Sequence, residues 1–165
     1  MKATAPTQSD ETAGAERQLA GMPPREILVA VDFTPECHRA ALYAVRLAKN
    51  LGARVTLLHI CQEPVFCSYS SDDRFDRDVN AAYRKRAADQ LSSELASMRQ
   101  IYAEVGSAVR YGVDPCTEIL RAAKEIEADL LVTAACGYSD LKRPSYGRKE
   151  TNLIFSARCP VLVVH

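Results

Sequence analysis

From Arg25 onward the chain alternates short apolar runs with longer stretches whose apolar residues recur at helical spacing. The first run, 27–32, reads ILVAVD. An unbroken apolar run of that length suits a strand buried on both faces of a parallel sheet. Thr34 then offers a helix N-cap and Pro35 suits the first helical position. Ala41, Ala44, Val45 and Ala48 form the apolar stripe of that helix, and Asn50 and Gly52 end it. A second strand is predicted over 55–60 and a loop over 61–75, which carries Pro64, a serine cluster, Asp72 and Asp73. A long helix follows over about 76–102, with Ala87, Leu91, Leu95 and Met98 on one stripe.

The second half repeats the alternation. A third strand over 104–111 stops at Gly112, and Pro115 opens a helix striped by Ile119, Ala122, Ala123 and Ile126. A fourth strand covers 129–134, a polar loop runs to about Arg148, and a short helix covers about 149–157. The fifth strand, 160–164, closes the chain. This order predicts an α/β fold: a doubly wound, five-stranded parallel sheet with helices on both faces. Ligands in such folds sit beyond the carboxyl ends of the strands, where the strand order reverses. Attention therefore falls on Asp32, on the loop after the second strand and on the 134–149 loop.

Composition narrows the class. The chain has 165 residues, 47% hydrophobic and 25% charged, which suits one globular domain. Residues 1–24 are polar and small, with Pro6, Pro23 and Pro24, and are expected to be a disordered tail ahead of a domain over 25–165. Lys and Arg number 21, as do Asp and Glu, so the balance argues against nucleic-acid or polybasic membrane binding. No apolar run is long enough to span a bilayer and no signal-peptide core is visible, so a cytoplasmic location is expected. The six cysteines form no C-x-x-C pair, so reduced thiols packed as small hydrophobes are expected.

At the strand ends, Asp32 could bond a ribose hydroxyl or an adenine amino group, hold a metal, or cap the following helix. Gly137 and Gly147 follow a strand and precede a helix, where backbone N–H groups can approach a phosphate. Lys142, Arg143, Arg148 and Lys149 face only Asp140 in the same loop, an excess of positive charge that suits an anion. His38, His59, Cys37, Cys61, Cys67 and Cys136 could converge on a metal or act as thiol sensors, although their spacings match no metal motif. No nucleophile, base and acid can be assembled into a catalytic set.

The stretches ILVAVDFT, ARVTLLHI, GVDPCTEILRAAKEIEADLLV and CPVLVVH, in that order, resemble the universal stress protein family across about 25–165. The resemblance implies a Rossmann-like fold of the adenine-nucleotide alpha-hydrolase-like kind. It also implies a homodimer formed through the last strand, Val161–Val164, and an unidentified protein partner. One branch of that family binds ATP through a G-2x-G-9x-G-S/T motif, and another lacks the motif and does not bind it. Carried over residue by residue, the pocket would use Ala30, Val31 and Asp32, with Ile60 against the base. Ala134, Gly137, Gly147, Arg148 and Lys149 would surround the phosphates. The spacing from Gly137 to Gly147 is kept, but Ala134 stands for the first glycine and Arg148 for the Ser or Thr. Arg148 removes a hydroxyl and brings a guanidinium, which either pairs with phosphate or fills its place. The expectation is a stress-response regulatory protein that binds ATP or AMP, with no metal beyond a nucleotide-associated Mg and at most slow nucleotide hydrolysis. The alternatives are a dimeric interaction module without nucleotide, and a thiol or metal sensor.

Overall fold

The computed structural model describes residues 22–62, 73–135 and 153–165, with side chains from residue 79 onward in the second of these segments. Most of the expected tail over 1–24, the loop residues 63–72 and the 136–152 segment lie outside them. The strands are β1 (Glu26–Ala30), β2 (Arg54–Cys61), β3 (Val105–Tyr111), β4 (Leu130–Ala134) and β5 (Val161–Val164). The helices are α1 (Pro35–Leu51), α2 (Asp73–Arg99) and α3 (Pro115–Glu125), and residues 153–156 add a helical turn before β5. Every strand pairing is parallel and the order is β3-β2-β1-β4-β5. The doubly wound sheet expected from the alternation is the fold of the chain.

The apolar runs form strands because both of their faces are covered. One core combines Ile27 and Val29 of β1 with Val55 and Leu57 of β2 and with the inner faces of α1 and α2. The other combines Leu28, Leu58 and Leu131 with Ile119, Ala122 and Ala123 of α3 and with Leu153. Successive residues of one strand serve opposite cores, which is the period of an extended chain. The central strands β1 and β4 are almost wholly buried, whereas all four residues of β5, at the sheet edge, stay half-buried.

Local signals set the helix ends. Thr34 caps α1, its hydroxyl accepting from the Cys37 amide, and Pro35 occupies the first turn. Gly52 ends α1 at φ 70°, a left-handed conformation that favours glycine. Asp114 caps α3 in the same manner through Thr117. Helix α2 runs about three residues earlier than its apolar stripe predicted, from Asp73 to Arg99 rather than 76–102. Met98 accepts the amides of both Ile101 and Tyr102 at its carbonyl, so the chain turns there and the stripe ends with it.

The face that α1 sets on the sheet is nearly all alanine: Ala40, Ala41, Ala44 and Ala48 are fully buried beside Val45. Side chains this small let the helix backbone approach the strands closely, and nothing in the packed layer can move aside for a larger one. Ala44→Leu is therefore expected to lower unfolding stability by about 1–3 kcal/mol, as overpacking does elsewhere. Urea denaturation of the variant against the parent checks it.

Candidate functional site

The order β3-β2-β1-β4-β5 reverses between β1 and β4. Chain leaving β1 turns toward β2, and chain leaving β4 turns toward β5, and open α/β sheets bind their ligands at such a point. Strand β1 stops at Ala30, two residues before the acid that the apolar run suggested as its end. The Val31 amide still donates to the Leu58 carbonyl at 2.9 Å, and Val31 remains buried. Asp32 is the first exposed residue of this exit.

Asp32 does not cap α1. Its Oδ1 accepts from the Thr34 amide at 2.9 Å and from the Thr34 hydroxyl. Thr34 in turn caps the helix. The Cys37 thiol, in the first turn of α1, also bonds the carboxylate. Burial on the protein side works against the charged form of Asp32, but these bonds from the Cys37 thiol, the Thr34 hydroxyl and backbone amides outweigh it. They hold the carboxyl below its ordinary range. The Cys37 thiol moves the other way, pushed up to about 12 by burial first and by the adjacent Asp32 charge and hydrogen bond. It stays protonated and serves as a donor.

Among the described residues, Ala30, Val31, Ile60 and Ala134 lie at the same edge. The β1–β2 register pairs Ala30 with Leu58, and carried two residues further it sets Asp32 level with Ile60. The β1–β4 register pairs Val29 with Val132, and carried two further it sets Val31 level with Ala134. Ala30 and Ile60 belong to the α3 side of the sheet, Val31 and Ala134 to the α1 and α2 side. The apolar residues thus close the two cores at the strand ends, and Asp32 is the exposed residue among them. The Ala135 amide donates to the Val164 carbonyl at 2.7 Å, so the exit of β4 is tied to β5. Gly137, Gly147, Arg148 and Lys149 lie outside the described residues.

Of the histidines and cysteines weighed for metal or thiol chemistry, His38, His59, Cys37 and Cys61 lie among the described residues. His38 Nδ1 meets Glu94 at 2.7 Å, joining α1 to α2. His59 Nδ1 donates to the Val31 carbonyl at 2.9 Å. Cys37, Cys61 and Cys116 are buried and Cys159 is half-buried, while Cys67 and Cys136 lie outside the described residues. Among the described residues, no group of three His, Cys, Asp or Glu side chains could hold a metal ion.

Sequence reasoning missed two partners of the site. Cys37 sits three residues after the cap residue, a spacing that places it over the same helical turn. That spacing was the available signal. Phe33 adopts φ 66° and its ring lies against His59 at a centroid distance of 4.2 Å. A left-handed phenylalanine costs about 1–3 kcal/mol, and no sequence pattern announces it.

Two outcomes follow from this electrostatic arrangement. A carboxyl depressed in the folded state stabilises the fold above its unfolded pKa of about 3.9, and that stability is lost as pH falls through the lower folded value. Asp32→Asn is expected to be less stable than the parent at neutral pH, with the gap closing below about pH 4. Denaturation series at both pH values measure it. For the thiols, site-resolved mass spectrometry after native alkylation at neutral pH is expected to find Cys159 labelled well before Cys37, Cys61 and Cys116. Labelling of those three should track unfolding.

The model of the universal stress protein family matches residues 24–165. The universal stress protein YxiE of Bacillus subtilis is 29% identical over 147 residues, covering 84% of this chain and 97% of the relative. Among solved structures, the universal stress protein UspA from Lactobacillus plantarum aligns with a TM-score of 0.71 at 24% identity, over 86% of this chain and 97% of that one. A universal stress protein family protein from Arabidopsis thaliana, solved with AMP bound, aligns with a TM-score of 0.61 at 20% identity, over 86% and 91%. The doubly wound sheet, the strand-end acid and the match over nearly the whole described chain agree, and this chain belongs to the universal stress protein family.

Proposed function

We propose that this protein binds an adenine nucleotide, AMP or ATP, at the carboxyl ends of β1, β2 and β4, as a regulatory ligand in a stress response. The observation that supports the reading is that Ala30, Val31, Asp32, Ile60 and Ala134 lie at the carboxyl ends of β1, β2 and β4, where the strand order reverses. A carboxylate accepts hydrogen bonds only, so it selects donors such as ribose hydroxyls or an adenine amino group. The bonds from Thr34 and Cys37 keep it charged and aimed. Ile60, half-buried at the end of β2, suits the face of a base. Gly137, Gly147, Arg148 and Lys149, by their spacing in sequence, would meet the phosphates, with Mg supplied alongside the nucleotide. The AMP-bound relative of the same fold supports the ligand class.

The same proposal makes the protein a cytoplasmic homodimer that signals through an unidentified protein partner. Among the described residues, no helix is long and apolar enough to cross a membrane. Strand β5 lies at the sheet edge with its four residues half-buried, and an open edge is a template for pairing with a second copy. The rival reading is an interaction module that takes no nucleotide, favoured by Arg148 standing where the motif has Ser or Thr.

Calorimetric titration with AMP, ATP and cyclic AMP separates the two. The wild type is expected to bind, and Asp32→Ala to bind roughly tenfold or more weakly, the loss of a charge-assisted hydrogen bond. Silence from the wild type with binding regained by Arg148→Ser would identify Arg148 as a plug and favour the module.

A further inference from the structure

We infer that His59, through its contacts with Val31 and Phe33, is the positioning residue that holds the Asp32 loop in its ligand-ready shape. The inference rests on the nucleotide reading of the site, and concerns a residue that reading does not use.

Side chains alternate along a strand, so His59 and Ile60 leave β2 on opposite faces. Ile60 packs with the α3 side. His59 turns to the other side and reaches across to the exit of β1. There the backbone ladder has one more rung, the Val31 amide on the Leu58 carbonyl at 2.9 Å. The Val31 carbonyl then accepts the Nδ1–H of His59 at 2.9 Å. A carbonyl can only accept, so the proton resides on Nδ1. Both backbone polar groups of Val31 are therefore anchored to β2, its amide by the strand backbone and its carbonyl by this side chain.

The next residues follow from that anchor. Phe33 takes φ 66°, a conformation that few residues with a side chain adopt unless their surroundings impose it. Its ring lies on the imidazole, centroids 4.2 Å apart and planes tilted by 35°, and it packs against the buried core on the α1 and α2 side. The left-handed step at Phe33 reverses the chain between Asp32 and Thr34. It thereby lets the Thr34 amide reach back to Asp32 Oδ1 at 2.9 Å. One imidazole thus fixes the peptide before Asp32 by a hydrogen bond and the residue after it by ring contact. The bond and the ring contact are separable, because a side-chain amide can copy the Nδ1–H donor without the ring.

The test uses the full chain with His59→Ala, His59→Phe and His59→Asn. Asn places an amide N–H near the position of Nδ1, whereas Phe keeps a ring and loses the donor. Two readouts are taken: calorimetric affinity for AMP, and the hydrogen-exchange rate of the Thr34 amide by NMR. His59→Ala and His59→Phe are expected to weaken AMP binding roughly tenfold, with His59→Asn recovering most of it. Thr34 exchange should quicken in the first two variants and return toward the parent rate in the third. Wild-type affinity in His59→Ala or His59→Phe would overturn the inference, as would failure of His59→Asn to recover either readout. If the parent itself binds no nucleotide, the functional reading fails. The positioning claim then stands or falls on Thr34 exchange alone, and an unchanged rate in His59→Phe would overturn it. If His59→Ala does not fold, the comparison of His59→Phe with His59→Asn carries the same decision.

Discussion

The parallel pairing of β1 with β2 on one side and β4 on the other governs the rest of this molecule. A parallel strand cannot turn straight back to its neighbour, so each pairing commits the chain to a crossover, and the crossovers must cover both faces. Here α1 and α2 cover one face and α3 the other. Because the strand order reverses between β1 and β4, the chain leaves their carboxyl ends in opposite directions. The placement of the candidate site is a consequence of topology before it is a matter of particular side chains.

What the side chains add is charge held in place. A carboxylate at an open strand end could swing into solvent or collapse onto the helix as an ordinary cap. Thr34 takes the capping role instead, and its amide and hydroxyl bind Asp32. The Cys37 thiol, kept protonated by burial and by the carboxylate beside it, adds a third donor. The cap and the acid form one unit in which the start of α1 and the orientation of the carboxylate depend on the same few bonds. The left-handed Phe33 is the conformational cost of that unit, offset by its packing against His59 and the core.

Much of the architecture was legible beforehand, and the elements say why. The runs at 27–32, 55–60 and 129–134 lie within a residue or two of the strands because a strand buried on both faces tolerates almost nothing polar. Thr34-Pro35 and Gly52 mark the ends of α1 because caps are set by bonds within a few residues. Boundaries slipped where the deciding contact was distant or backbone-borne. Helix α2 ends early at a turn on the Met98 carbonyl, and β1 ends early at Ala30, after which the Val31 carbonyl accepts from a histidine of β2.

By itself the sequence determined the fold class, the family and the placement of an acid at the exit of the first strand. The fold class and the acid's placement depend on periodicity, caps and the order of elements, all local or additive along the chain, and the family on the resemblance of four stretches in order. The tertiary structure alone decided which neighbours that acid has. Cys37 reads in sequence as a buried small hydrophobe or a thiol ligand, and His59 as a strand-end side chain or a metal ligand. In the fold one is a donor to Asp32 and the other an anchor for Val31. His59 and Val31 are 28 residues apart, and only the register of β1 on β2 brings them together. A hydrogen bond is set by a few tenths of an ångström and an angle, and those are fixed by packing rather than by any pattern along the chain.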